Sequence, residues 1–270
     1  MSPGYRRATS SISRRTFRAA TGISVVAFAC GDDTDAAPPA TSSSTTPPGD
    51  TEPDTDSDVT DAADAPPSAD PVAFAPEDFE ALGACVLFPR AAAGPFPTLE
   101  QLYRRDVTEG YPGHAMRVGL RVIDQDCRPV SGATVEIWHT DATGDYSSYE
   151  DGGNGKDEGQ GTTFMRGAQV ADDNGIVEFQ TIYPGWYPGR AVHIHLRVRV
   201  DDALVLTGQV YFDDAYTAEV FTEDAYAANG EPDTLLAADF GADDAANGAL
   251  LALTPDGGGT TALVNVSIPV

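Results

Sequence analysis

A pair of closely spaced histidines is the part of the sequence best suited to chemistry. His193 and His195 are two of only four histidines, and they begin an alternating apolar and polar run that ends at Val200. Residues i and i+2 of a β-strand face the same side, so the two imidazoles would lie side by side, as in half of a metal site. For such a pair by itself, the polar face of an ordinary half-buried strand is the favoured explanation. A metal site therefore requires further ligands.

Two tyrosines are the strongest candidates for those ligands. Tyr187 lies six residues before His193 on a turn rich in proline and glycine, and Tyr146 follows the end of a predicted strand in the segment Gly144-Asp145-Tyr146. Together with the two histidines they would supply four nitrogen or oxygen ligands. Neutral imidazoles and phenolates form a hard, electron-rich set that suits Fe(III) better than zinc or calcium.

Alternation of apolar and polar residues predicts strands nearly everywhere in the C-terminal two thirds of the chain. The predicted strands are 116–123, 133–138, 164–170, 176–181, 193–200, 204–212 and 261–268. Turn residues at 129–132 and 201–203 predict two hairpins, and 171–175 predicts a tight turn between the third and fourth strands. Helical patches at 79–83 and 215–228 are expected to be peripheral. Short strands separated by frequent turns predict an all-β sandwich or barrel.

The N-terminal residues predict an exported precursor with three parts. Residues 1–30 carry Arg14 and Arg15 in a twin-arginine signature, then an apolar stretch and Cys30. Two alternatives stay open for Cys30: lipidation as the mature N-terminus, or removal with a signal cleaved near Ala29. The apolar stretch is too short to span a bilayer, so a lipid on Cys30 is the only membrane attachment expected. The protein is then periplasmic, a cell-surface lipoprotein or extracellular.

Composition separates a linker from the folded domain. Residues 31–72 hold eleven acidic residues and no basic one, which predicts a disordered acidic tether rich in Pro, Ser and Thr before a folded domain at 73–270. Residues 31–270 hold 11 of the 16 basic residues and all 42 acidic ones, a net charge of −31, which argues against nucleic-acid partners. Cys85 and Cys127 are the pair left after Cys30, and export favours a disulfide between them.

Three motifs resemble the intradiol ring-cleavage dioxygenases, the catechol and protocatechuate class, and especially their exported single-domain branch. They are I-W-H-x-D-A-x-G-x-Y-S at 137–147, F-x-R-G at 164–167 and P-G-W-Y-P-G-R-x-x-H-I-H at 184–195. The resemblance covers residues from about Cys85 to the C-terminus. It implies a two-sheet, prealbumin-like β-sandwich with long active-site loops and minor peripheral helices.

The same resemblance implies a reaction and assigns residues to it. Non-heme Fe(III) would be held by four ligands: Tyr146, Tyr187, His193 and His195. A catechol-type substrate would displace Tyr187 and react with O2, opening the ring between its hydroxyls to a muconate-type diacid. Arg190 matches the family arginine that offsets substrate charge, and Gln209 matches a glutamine of the same pocket. A homodimer is the family-like expectation.

Two other functions compete with this interpretation. His193 and His195 could join Asp141 in an Fe(II) site with two histidines and one carboxylate. Alternatively, the domain could be a non-catalytic acidic β-sandwich that binds partners at the surface. Neither the particular catechol nor the role of residues 150–162 follows from the sequence; that segment holds five glycines and predicts a mobile surface loop.

Overall fold

Strands dominate the computed structural model, which describes residues 74–83, 85–155, 159–242 and 249–270. All described residues belong to one compact unit. The expected signal and lipidation site and the tether at 31–72 lie outside the described residues. Within the described part of the chain, no helix has the length and apolar character needed to cross a membrane.

Eight strands and four short helices are found among the described residues. The strands are β1 (Ala115–Ile123), β2 (Thr134–Trp138), β3 (Arg166–Val170), β4 (Ile176–Ile182), β5 (His193–Val200), β6 (Ala203–Tyr211), β7 (Ala252–Asp256) and β8 (Gly259–Ser267). The helices are α1 (Asp214–Val220), α2 (Asp224–Ala227) and two 3₁₀ turns at Pro76–Leu82 and Leu236–Ala238. The predicted helical patch at 215–228 is thus divided into two helices.

The strands form two four-stranded sheets that pack face to face. The first sheet has the order β4-β1-β8-β7 and the second has the order β3-β2-β5-β6. Alternate residues of β1 and β5, including Val118, Leu120, Ile194 and Leu196, are buried in one shared core. Burial of these apolar positions is the main force holding the sheets together. The predicted all-β, two-sheet sandwich is confirmed.

The predicted pairing of strands is only partly correct. β5 and β6 form the expected antiparallel hairpin. The predicted hairpin of β1 with β2 is wrong, because β1 pairs with β4 and β8 whereas β2 pairs with β3 and β5. The tight turn at 171–175 also connects strands of different sheets. A turn signal specifies chain reversal, and two amphipathic strands can then bury their apolar faces across the core rather than side by side.

The segment before β1 is secured at several points and then crosses the second sheet. The predicted disulfide between Cys85 and Cys127 is present. The backbone N–H of Phe88 donates to Ser267 of β8, and the N–H of Ala91 donates to Thr207 of β6, both at 2.9 Å. The chain therefore passes from the edge of one sheet to the outer face of the other, where it covers the histidines of β5.

Candidate active site

Strand β5 places His193 and His195 on the outer face of the second sheet. Their side chains are buried, and their Nε2 atoms are 3.1 Å apart. The intervening Ile194 belongs to the core between the sheets. The same-face arrangement predicted from the alternating sequence is confirmed.

Neighbouring groups fix the orientation of both imidazoles. Nδ1 of His193 is 2.6 Å from the carbonyl oxygen of Ala191, so this nitrogen carries the proton and leaves the Nε2 lone pair free. The ring of His195 stacks flat against Trp138, with centroids 4.9 Å apart and an interplanar angle of 4°. The side-chain nitrogen of Gln209 lies 3.2 Å from Nδ1 of His195. Both Nε2 atoms are thereby directed toward the same point.

The two tyrosines complete a cluster of four donors. The hydroxyl of Tyr187 is 3.3 Å from Nε2 of His193. The ring of Tyr146 lies 5.6 Å from that of Tyr187 and 6.1 Å from that of His195, measured between centroids. Within the described residues, the buried Tyr146 hydroxyl has no hydrogen bond of standard geometry. A buried hydroxyl without a hydrogen-bond partner, next to two converging imidazole nitrogens, fits a cation-binding site.

Local backbone contacts hold Tyr146 in this position. Asp141 closes the turn before it by accepting from the N–H groups of Thr143 at 2.8 Å and Asp145 at 3.1 Å. Gly152 packs so closely that a Cβ added there would lie 2.6 Å from the Tyr146 carbonyl oxygen. The expectation of a surface loop at 150–162 is therefore only partly correct. Gly152, within this segment, is buried and packs against the backbone of Tyr146.

Burial sets the protonation states of the four donors. It lowers the pKa of His193 to about 3, assisted by Arg190, and lowers the pKa of His195 well below its ordinary value, assisted by His193. Burial also raises the pKa of Tyr146, together with the neighbouring Tyr187, and raises the pKa of Tyr187 against the opposing effect of Arg190. Without a metal ion, the imidazoles are neutral and the phenols are protonated near neutral pH. A bound cation would favour the phenolates.

Arg190 and Gln209, both predicted from the sequence, lie next to this cluster. A guanidinium nitrogen of Arg190 donates to the Gln209 side-chain oxygen at 2.7 Å, and Nε donates to Asp239 at 3.0 Å. Burial would lower the pKa of Arg190, but Tyr187 and Asp239 outweigh it and raise that pKa. Asp239 was not anticipated, because nothing in the sequence distinguishes it among 42 acidic residues.

A cavity of about 690 Å³ opens onto the cluster. Its lining includes Tyr187, Arg190, Gln209 and Phe240. Tyr146 lies deeper, where Phe96 stacks on its ring at 4.6 Å. A separate cavity of about 370 Å³ lies beside the first sheet and has none of the four donors in its lining.

A third buried histidine has structural partners. His139 is buried and contacts the carbonyl of Thr140 at 2.7 Å and the hydroxyl of Thr181 at 2.8 Å. No group of three or more His, Cys, Asp or Glu side chains in the described part of the chain is arranged to hold a metal ion. The proposed Fe(II) triad of His193, His195 and Asp141 is therefore not assembled in this structure.

Comparison with known proteins identifies the family. A family model described as Dioxygenase matches residues 97–251, which is more than half of the chain. The catechol 1,2-dioxygenase of Acinetobacter baylyi is 29% identical over 190 residues, covering 59% of this chain and 60% of that protein. The 6-chlorohydroxyquinol 1,2-dioxygenase of Cupriavidus pinatubonensis is 32% identical over 125 residues, covering 39% and 42%. The chain thus spans at most about three fifths of these two relatives.

Solved structures agree with this assignment. An intradiol ring-cleavage dioxygenase from Tetranychus urticae matches with a TM-score of 0.63 and 28% identity, covering 68% of this chain and 95% of that one. The dioxygenase domain of a carbohydrate-binding fusion protein from Streptomyces sp. SirexAA-E matches with a TM-score of 0.53 and 25% identity, covering 68% and 99%. The chain belongs to the intradiol ring-cleavage dioxygenase family.

Proposed function

We propose that the protein is a non-heme Fe(III) dioxygenase that opens catechol-type rings between their two hydroxyl groups. Both atoms of O2 enter the product, a muconate-type diacid. The observation that carries this proposal is a cluster of two imidazoles and two tyrosine side chains next to an open cavity. The four donors are those of His193, His195, Tyr146 and Tyr187.

These four residues would hold the iron. Bound there, ferric iron would supply the electron-withdrawing power that makes a catechol ring reactive toward dioxygen. The orphaned hydroxyl of Tyr146 and the directed Nε2 atoms support this donor set. A site made only of carboxylate and carbonyl oxygens would suit magnesium or calcium, and a site made of thiolates would suit zinc.

The residues around the cavity divide the remaining tasks. Of the four donors, Tyr187 is the one that lines the cavity, so it is placed to yield its position to an incoming substrate and to take a proton from a substrate hydroxyl. Arg190 lies beside it and can offset the negative charge of an ionised substrate. Gln209 fixes one guanidinium nitrogen of Arg190. Tyr146 and His195 lie deeper and stay in place.

The test compares two tyrosines of the same loop. We expect the purified protein to contain iron, to show a visible tyrosinate-to-iron absorption band and to open catechol rings. Tyr146→Phe should weaken and shift the band, because only the Tyr187 phenolate remains, and should weaken iron binding by more than about a hundredfold, because a ligand matters more than the groups that orient it. Tyr149→Phe is the matched control, since the Tyr149 hydroxyl bonds the carbonyl of Pro97 instead.

Each alternative has its own outcome in this experiment. A colourless iron-loaded protein that still oxidises substrates would favour the Fe(II) oxygenase. Absence of iron binding and of ring opening, with Tyr146→Phe changing only stability, would favour the non-catalytic binding module. Ring-opening rates across plain, carboxylated and hydroxylated catechols would then define the substrate.

A further inference from the structure

A buried carboxylate lies behind the candidate iron site. Asp239 follows the 3₁₀ turn Leu236–Ala238, and its side chain is completely buried. It accepts hydrogen bonds from Nε of Arg190 at 3.0 Å, from the N–H of Ala191 at 2.6 Å and from the N–H of Gly241 at 2.6 Å. Two of these donors belong to the segment that leads directly into β5.

One branch of contacts connects Asp239 to the first histidine. The N–H of Ala191 donates to the carboxylate, and the carbonyl of the same residue accepts from Nδ1 of His193 at 2.6 Å. The carboxylate therefore fixes the position of the carbonyl that selects the His193 tautomer. A shift of Asp239 would move that carbonyl and rotate the imidazole.

A second branch connects Asp239 to the other histidine. Arg190, held by the carboxylate, donates to the Gln209 side-chain oxygen at 2.7 Å. That bond orients the amide so that its nitrogen faces Nδ1 of His195 at 3.2 Å and the carbonyl of Ala92 at 3.2 Å. Without it, the amide is free to rotate, and the His195 ring loses a neighbour of fixed position.

The network closes on itself through Tyr211. Its hydroxyl donates to the carbonyl of Gly241 at 2.6 Å, and it also contacts the Gln209 oxygen at 2.5 Å. Gly241 in turn donates to Asp239. Because the groups form a ring of hydrogen bonds, displacement of one member is transmitted to the others.

We propose that Asp239 is a positioning residue that fixes the orientations of Arg190, His193 and His195 together. This role rests on the proposed function, in which Arg190 is the charge partner of the substrate and the histidines hold iron. Asp239 acts through these residues and need not contact the substrate. A buried ion pair that only stabilised the fold would leave the two imidazoles unaffected.

A chemically matched carboxylate provides the control. Asp124, at the end of the first sheet's β1, accepts from Nε of Arg128 at 2.8 Å and from the N–H groups of Asp126 at 2.8 Å and Arg128 at 2.9 Å. It thus makes the same three kinds of bond as Asp239. Its partners do not include the histidines or the cavity lining.

The experiment compares Asp239→Asn with Asp124→Asn. Asparagine keeps the shape and one acceptor oxygen but removes the charge. We expect both variants to lower the melting temperature. Asp239→Asn should also weaken iron binding by about tenfold to a hundredfold in a chelator competition, and shift the visible band. Asp124→Asn should leave iron affinity and the band unchanged. Equal iron affinity in wild type and Asp239→Asn would overturn the proposal.

A metal-free measurement separates this inference from the proposed function. In ¹⁵N-labelled protein without iron, Asp239→Asn should shift the ring-nitrogen signals of His193 and His195 and leave those of buried His139 in place. Unchanged signals at His193 and His195 would overturn the positioning role even if the wild type bound iron. If wild-type protein bound no iron, the proposed function would fail, whereas the nitrogen shifts would still decide the positioning role. If the asparagine variant does not fold, Asp239→Glu, which keeps the charge but moves the carboxylate, replaces it in both measurements.

Discussion

The two sheets of the sandwich have similar architecture but very different outer faces. On the first sheet, the buried Glu178 pairs with Arg105 of the segment before β1 and with Arg117 of β1, whose side chains are 24% and 35% exposed. On the second sheet, His195 and Gln209 are almost completely buried. Strand alternation makes both outer faces polar. Covering segments convert only one of them into a candidate site.

The cover explains the unusual electrostatics of the second sheet. The N–H of Ala91 donates to β6, and the N–H of Arg104 donates to Ala168 of β3, so the chain before β1 is pinned across the outer face. Gly94 passes so close that an added Cβ would lie 3.0 Å from the His195 ring. Water is excluded, and the pKa values of the imidazoles fall because their charged forms lose solvation. Enclosure of this face therefore keeps both imidazoles neutral.

The largest expected effect is a difference in iron binding between two variants, each of which removes one polar side chain from one of the two outer faces. His195→Ala is expected to weaken iron binding by more than about a hundredfold and to abolish ring opening, because an imidazole ligand is lost. Arg117→Ala on the first sheet should reduce stability alone, since its partners are Glu178 and Asp256. Iron content and catechol turnover provide the measurement. Loss of iron from both variants would contradict the prediction that only the outer face of the second sheet holds iron.

His139, buried between the two sheets and away from the cavity, tests the effect of burial alone on the pKa of a histidine. Burial lowers the pKa of His139 to about 4, against an opposing hydrogen bond to Thr140. A lowered pKa means that the neutral form stabilises the fold above pH 6.5, and this contribution is lost as the pH falls toward 4. The loss amounts to about 3 kcal/mol of unfolding free energy.

The measurement for His139 is urea unfolding at several pH values between 8 and 4. His139→Gln cannot ionise, so its stability should fall less steeply over this interval than that of the wild type. The two curves should be parallel above pH 7. Parallel curves down to pH 4 would show that His139 is not the group that is titrated.

The smallest effect is expected at the mouth of the cavity. Phe240 is 78% exposed, and its ring lies 4.9 Å from the guanidinium carbon of Arg190. Phe240→Ala should raise KM for catechol about threefold, the equivalent of one partly exposed cation–π contact, with a smaller change in kcat. Leu99→Ala removes another exposed apolar side chain away from the cavity lining and should change neither constant. Steady-state kinetics on both variants will distinguish a cavity wall from exposed apolar surface.

Sequence reasoning succeeded where a local pattern determines the outcome. Alternation in β5 placed His193 and His195 on one face, and the turn at 201–203 paired β5 with β6. The side chains of Tyr146 and Tyr187 lie beside them as the motifs implied. These are short-range consequences of strand geometry and of a specific residue pattern.

Long-range pairing could not be deduced in the same way. The sequence does not specify which strand lies beside β1, because β4 and β8 offer equally apolar partners. β7 was missed because it carries Pro255 and is mostly exposed, as is usual for an edge strand. Asp239 was missed because its burial depends on Arg190, a partner 49 residues away.

The flat contact between Trp138 and His195 should let intrinsic tryptophan fluorescence report whether a metal ion is bound. The chain has only two tryptophans, and the other, Trp186, immediately precedes Tyr187. An absorbing or paramagnetic ion at His195 would lie within a few ångströms of the Trp138 indole. Intrinsic fluorescence should therefore fall as the site fills and recover as a chelator empties it, so occupancy can be followed in real time without a label or a substrate.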